Sequence, residues 1–239
     1  MESFWRRLRY YGIGFGLGLI LTFGIFNTRG CSWMPENRVK EAINKRIWLI
    51  DSQWKKSFYK AHKLNDKKFY RLLQNADISF SKSIRSGRHK VYDLTFKDGN
   101  NKQAHCLVSM TDESFVAEFI TRVKNIKEIK KYKNYQKEFG MYAQLAHAPK
   151  NSNLVYVEKN SRAEALLKSQ GILNNKQLQD RLLKGLFSYT ESKLNAEPRP
   201  IHVFRFSTKQ NAKAVMYATC IWYKDKIKVS NLEIEPLNF

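Results

Sequence analysis

Cysteine is scarce: three residues, Cys31, Cys106 and Cys220, an odd number at wide spacing, which excludes a disulfide scaffold and a four-thiolate zinc site within one chain. Histidine is scarce too. Five occur, at 62, 89, 105, 147 and 202, and no two stand four residues apart, so no helical metal-binding pair is written into the chain. With 5 Pro and 11 Gly in 239 residues, collagenous and low-complexity readings are excluded for most of the length. The Ser81-Lys82-Ser83 tripeptide is no serine–lysine pair, because neighbouring strand positions point to opposite faces. Acids are outnumbered two to one, 21 against 43 Lys and Arg, and the resulting net charge of +22 suits an anionic partner. No constellation fixes a reaction, a cofactor or a metal, so the catalytic, cofactor and metal sets are all empty.

One long apolar run is present. Nineteen uncharged residues, Tyr10 to Thr28, separate Arg9 from Arg29, and as a helix they cover about 28 Å of a hydrocarbon core of roughly 30 Å. Trp5, Tyr10, Tyr11 and Trp33 flank it as interfacial aromatics do. The expectation is a single-pass helix in a bacterial inner (cytoplasmic) membrane, with the short Arg6, Arg7, Arg9 tail inside and the remainder in the periplasm. Gly12, Gly14, Gly16 and Gly18 make two overlapping small-xxx-small pairs, a pattern through which two such helices dimerise.

Beyond the run the chain repeats. Leu64-Asn65-Asp66-Lys67, Arg71-Leu72-Leu73 and Phe80-Ser81-Lys82-Ser83 return, in the same order, as Leu173-Asn174-Asn175-Lys176, Arg181-Leu182-Leu183 and Tyr189-Thr190-Glu191-Ser192. The offset is nearly constant, slipping by a single position between these blocks. Asp66 and Asn175 are expected N-caps, and Phe69, Leu72 and Leu73, or Leu178, Leu182 and Leu183, follow at helical spacing. Strand patterns come next in both copies, with Lys97–Asn101 as a turn. A helix precedes each unit. In the first copy, an apolar stripe of Val39, Ile43, Ile47, Ile50, Trp54 and Phe58 predicts one amphipathic helix from Pro35 to about Tyr59. In the second, Ser161 and Glu164 form a capping box and Gly171 stops the helix.

The fold class expected is therefore α+β: an N-terminal transmembrane helix followed by two tandem helix-plus-antiparallel-sheet units. The boundaries are 1–30 for tail and span, 31–120 for the first unit, 121–150 for a basic helical linker and 151–239 for the second unit. Candidate contacts to an anionic surface are Arg85, Arg88 and Lys90, together with Lys124, Lys127, Lys130 and Lys131 of the basic run Arg122 to Lys137. Trp222 and Tyr223 beside Lys224, Lys226 and Lys228 also have the aromatic-basic mixture of single-strand binders.

The opening, Tyr10-Tyr11-Gly12 and then Cys31-Ser32-Trp33-Met34-Pro35-Glu36-Asn37-Arg38-Val39, resembles that of uncharacterised single-span proteins of Bacteroidetes type. Leu72-Leu73-Gln74-Asn75-Ala76-Asp77 followed by Ile78-Ser79-Phe80-Ser81-Lys82-Ser83 is similar to a helix-to-strand motif in small bacterial domains of unknown function, distantly related in shape to RelE/barnase-like toxins. The resemblance implies a small basic α+β domain. Where the toxin-like relatives commonly carry a His and a Cys-Pro pair, this chain has Asn37 and His89-Lys90. The expected function is a non-enzymatic, membrane-anchored envelope protein whose duplicated module binds a protein partner or an anionic surface. The alternative is a tethered ribonuclease-like or nucleic-acid-binding domain, with nucleic acid a partner only if the soluble part is cytoplasmic. A homodimer through the apolar helix is the remaining partner expectation.

Overall fold

The computed structural model describes residues 2–29, 34–98, 100–120, 142–149, 154–207 and 214–236, and divides into two compact units, Met1–Glu41 and Ala42–Phe239. The first unit holds α1 (Glu2–Arg29) and the start of α2 (Pro35–Asn44). Among the described residues no helix is long and apolar enough to cross a membrane, which corrects the transmembrane expectation. Fifteen residues of the uncharged run, Tyr10 to Gly24, have described side chains. Five of those fifteen are glycine and add no apolar side chain. The single-pass inner-membrane placement, and the periplasmic export inferred from it, lose their basis with the span. Beyond the helix's own backbone, no atom lies within 4 Å of a Cβ built on Gly12, Gly14, Gly16 or Gly18.

Ala42–Phe239 is organised around one mixed sheet of eleven strands, in the order β2-β3-β4-β5-β1-β6-β8-β9-β10-β11-β7. The first seven elements are β1 (Ile47–Ile50), α3 (Ser52–Ala61), α4 (Asp66–Gln74), β2 (Asp77–Ile84), β3 (His89–Lys97), β4 (Gln103–Thr111) and β5 (Val116–Ile120). β6 (Tyr142–His147) follows, then β7 (Val155–Val157), α5 (Arg162–Ser169), α6 (Asn175–Leu182), β8 (Leu186–Lys193), β9 (Ile201–Ser207), β10 (Ala214–Tyr223) and β11 (Lys226–Pro236). Two tandem units with separate sheets are therefore a wrong description. β6 pairs with β1 on one side and β8 on the other, and fuses everything into one sheet.

Within that sheet the order β2-β3-β4-β5-β1 recurs as β8-β9-β10-β11-β7, and β1 lies parallel to β5 as β7 does to β11. Local devices recur too. Asn65 and Asn174, one residue before the expected caps, accept from the N–H of Lys68 and Gln177, each at 2.9 Å. Ser83 Oγ donates to the Ser79 carbonyl and accepts from the Asp93 N–H at 3.1 Å. Ser192 Oγ does the same with the Ser188 carbonyl and the Val203 N–H, at 2.9 Å to the latter. Both serines hold the same bulge, between Ser79 and Ile84 in β2 and between Ser188 and Lys193 in β8. The offset between copies is the same from the Asn65–Asn174 pair to the Ser83–Ser192 pair and one position longer at Asp93–Val203, so the extra residue sits in the β8–β9 connection. Burial agrees, matching Leu182 with buried Leu73 rather than with half-buried Leu72.

β8 runs parallel to β1 and β5, whereas β2 runs antiparallel to β5. Repeating the strand order with reversed direction turns the second helix pair to the opposite face of the sheet. Alternation along β1 shows both faces in use. Trp48 meets Phe69, Tyr70 and Phe119 on the α4 side, while Ile47 and Leu49 belong to the core of Leu178, Leu182, Phe187 and Phe204. The expected Pro35–Tyr59 helix is broken here for the same reason. Ile47-Trp48-Leu49-Ile50 is apolar at every position and buried on both faces, as a central strand with a parallel neighbour is, and Asp51 then caps α3 through the Trp54 N–H at 2.8 Å.

Gly185 leads from α6 into β8 under the neighbouring strand. A Cβ there would stand 2.5 Å from the Arg205 carbonyl oxygen and 3.2 Å from Phe206 Cβ. Gly185→Ala is expected to destabilise the fold by about 1–3 kcal/mol, read as a lowered urea midpoint. An unchanged midpoint would show that β9 yields at no cost.

Candidate anion-binding surface

The α3–α4 hairpin gathers six exposed cations. Residues 52–74 hold seven cations, Lys55, Lys56, Lys60, Lys63, Lys67, Lys68 and Arg71, and one acid, Asp66. The equivalent helices at 161–184 hold five, with Glu164 and Asp180 against them. The apolar stripe explains the arrangement. Phe69, fully buried on α4, is ringed by Trp48, Trp54, Phe58, Tyr59, Phe96 and Phe119 at centroid distances of 5.5 to 6.3 Å. With that face against the sheet, Lys56, Lys60, Lys63, Lys67, Lys68 and Arg71 are left exposed.

Asp66 is already occupied inside the hairpin. It takes Lys55 Nζ at 2.8 Å and the Tyr59 hydroxyl at 2.9 Å, which ties α3 to α4. Burial first, and then the Asp66 charge, hold the Tyr59 hydroxyl well above its ordinary range, so it stays a donor. The exposed cations consequently have little acid of their own hairpin to pair with. Like charges at this density oppose folding, and the aromatic packing beneath must offset that repulsion.

Arg88 and Lys90, expected at an anionic surface, are engaged within the protein. Arg88 donates to the Ala196 carbonyl at 2.6 Å and pairs with Glu197 at 3.3 Å, fastening β3 to the β8–β9 connection. Lys90 reaches Asp112 at 2.6 Å. Arg85 is exposed, its guanidinium 5.9 Å from the Phe80 ring centroid. Lys124, Lys127, Lys130 and Lys131 lie outside the described residues. The α3–α4 cations were missed in the sequence, where the run at 122–137 drew attention by its density. Their signal was visible nonetheless, as Lys56/Lys60 and Lys67/Arg71 at i,i+4 with a single acid between.

The histidines are each in a structural contact. His62 Nδ1 meets Asp98 at 2.6 Å, His105 Nε2 meets Asp93 at 2.7 Å, His89 Nδ1 meets Thr111 Oγ1 at 2.9 Å, and His147 packs on Trp48 and Tyr70. The His62 contact, then the backbone N–H groups of Lys102 and Asn100, hold the Asp98 carboxyl below its usual range and fix the turn at residues 98–102. His202 Nε2 stands 2.8 Å from Ser114 Oγ, a pair with the outline of a nucleophile and its base. Both are buried, and burial pushes His202 down to about 3, too weak a base to take a serine proton near neutrality. The pair serves packing: the Phe115 ring lies tilted against that of His202, centroids 4.0 Å apart, and Arg46 donates to the Ser114 carbonyl at 3.0 Å. Among the described residues no group of three or more His, Cys, Asp or Glu is placed to hold a metal ion.

The chain matches no protein-family model, no curated protein and no solved structure.

Proposed function

We propose that the chain is a non-catalytic module that binds an anionic macromolecule, the phosphate backbone of a nucleic acid, through the α3–α4 hairpin. The observation that carries this reading is the difference between the two halves of the sheet. Both build the same helix pair with the same asparagine cap, but one pair presents six exposed cations over a single internally bonded acid, while the other is closer to charge balance. A core requires nothing of the outward positions, so the excess answers to something outside the chain. A ribonuclease-like role draws less support, since each histidine already has a contact within the protein and the serine–histidine pair is buried.

The test is anisotropy of a labelled oligothymidylate with the full chain over a salt series. Backbone binding through the hairpin predicts a log–log slope of roughly −0.7 per neutralised phosphate. A variant with Lys56, Lys60, Lys67 and Arg71 all changed to Gln is expected to shallow that slope by about 2–3 and weaken binding at low salt about 100-fold or more. A flat salt series, or equal binding by the variant, would remove the hairpin from the reading.

A further inference from the structure

We propose that the tip of the β10–β11 hairpin is a phosphate-binding site, formed by Arg199, Lys224 and Lys226 around the exposed ring of Tyr223. The hairpin turns on two residues, Lys224 and Asp225, both left-handed with φ of 48° and 57°, the conformation that matches the twist of the flanking strands. Lys224 Nζ lies 5.3 Å from the centroid of the Tyr223 ring. Arg199 arrives from the β8–β9 connection, between Pro198 and Pro200, and its guanidinium lies 5.3 Å from the same centroid. Nη1 of Arg199 also faces the Trp222 carbonyl at 3.5 Å, and Trp222 in turn stacks on Phe115 with centroids 5.8 Å apart. The arginine therefore stands on a packed base.

Five basic side chains among the described residues end on a carboxylate: Lys55 on Asp66, Arg88 on Glu197, Lys90 on Asp112, Lys168 on Glu164, Lys228 on Glu158. At the hairpin tip two cations share a neutral ring instead. Each being 5.3 Å from one centroid, they are no more than about 11 Å apart, against a screening length of about 8 Å at physiological ionic strength. A cation–π contact contributes about 0.5–1 kcal/mol at an exposed site but leaves the charge unneutralised. Lys226 follows in the exposed start of β11, and Asp225 is the one acid of the turn, so the tip carries three cations to one carboxylate. A guanidinium fork, two ammonium groups and a phenol hydroxyl are donors suited to the oxygens of a phosphate group. Tyr223 is 38% exposed, so a ligand reaches them from solvent. The phosphate belongs either to a free nucleotide or to a nucleic-acid backbone, and the same donors serve both.

Full-chain protein is titrated in two arms, one with thymidine monophosphate and one with an oligothymidylate, following the Tyr223 ring resonances by NMR, with thymidine as the phosphate-free control. A saturable shift is expected with a phosphate-bearing probe and none with thymidine. Arg199→Gln combined with Lys224→Gln should weaken it about tenfold or more, while the α3–α4 charge variant leaves the monophosphate response unchanged. Response to the monophosphate identifies a free phosphate ligand, and response to the oligonucleotide alone identifies the backbone. Absence of a shift in both arms, an equal shift with thymidine, or full response in the double variant overturns the site. Because the α3–α4 variant is read separately, either surface can fail while the other stands.

Discussion

Glu118→Gln should make the protein more stable in mild alkali and change its stability little in acid. Glu118 lies on β5 opposite Ser109 of β4, 5% exposed, facing the buried hydroxyl of Tyr189 on β8. Its Oε1 and the Ser109 Oγ have no hydrogen-bond partner among the described residues. Burial pushes the carboxyl up from 4.5 to about 7, with the Tyr189 contact opposing only in part, and burial first, then the nearby Glu118 and Asp51, keep the Tyr189 hydroxyl protonated. A raised folded value favours the native state below about pH 4.5, and that contribution is lost as pH rises through about 7. The loss comes to about 3 kcal/mol, and the amide, which cannot ionise, escapes it. His202 has the opposite sign. Its value is lowered from 6.5 to about 3, so its contribution is present above 6.5 and fades as pH falls. In the parent chain the two slopes oppose each other between about 4.5 and 6.5, and Glu118→Gln should expose the histidine slope there. Urea unfolding of both proteins at about pH 4, 6 and 8.5 tests this. A stability difference that stays constant across the series would show that folding leaves the proton affinity of the Glu118 carboxyl unchanged.

How much of this was legible in the sequence depends on what each signal measured. The repeat was readable because caps and bulges use particular side chains: Asn65 and Asn174, and Ser83 and Ser192, do identical work in the two copies. The joining of the two halves was not readable. It depends on β6, a short strand whose partners are β1 and β8, and nothing in Tyr142–His147 names those partners. The helix spacing of Ile43, Ile47 and Ile50 was genuine but misleading, since a strand apolar at every position also satisfies a pattern of threes and fours. Arg88 and Lys90 were legible as cations and illegible as pairs. Their acids, Glu197 and Asp112, stand well beyond local reach along the chain, and only folding supplies that proximity. The α3–α4 charge was legible by counting. Its exposure follows once Phe69 is known to face the sheet.

Phe69→Ala should separate the two halves functionally. Phe69 and Leu178 are equivalent positions in the two copies, each fully buried beneath its own helix pair. Removing the phenyl ring takes away contacts to six aromatic side chains, among them Trp54, Phe58 and Tyr59 of α3, and leaves a large apolar void. The expected cost is about 4 kcal/mol, against about 3 kcal/mol for Leu178→Ala. The binding consequence should differ far more than the stability. Phe69 joins α3 to α4, so its loss loosens the frame that holds Lys56, Lys60, Lys67 and Arg71 together, and oligothymidylate affinity should fall about tenfold at a temperature where the protein remains folded. Leu178 anchors α6 on the opposite face, and its replacement should leave that affinity within about twofold. Should Phe69→Ala fail to fold, Phe69→Leu keeps most of the volume and should show the same ordering at smaller amplitude. Equal losses of affinity in the Phe69 and Leu178 variants would mean that binding senses global stability alone, and the assignment of the anionic partner to the α3–α4 face would fall.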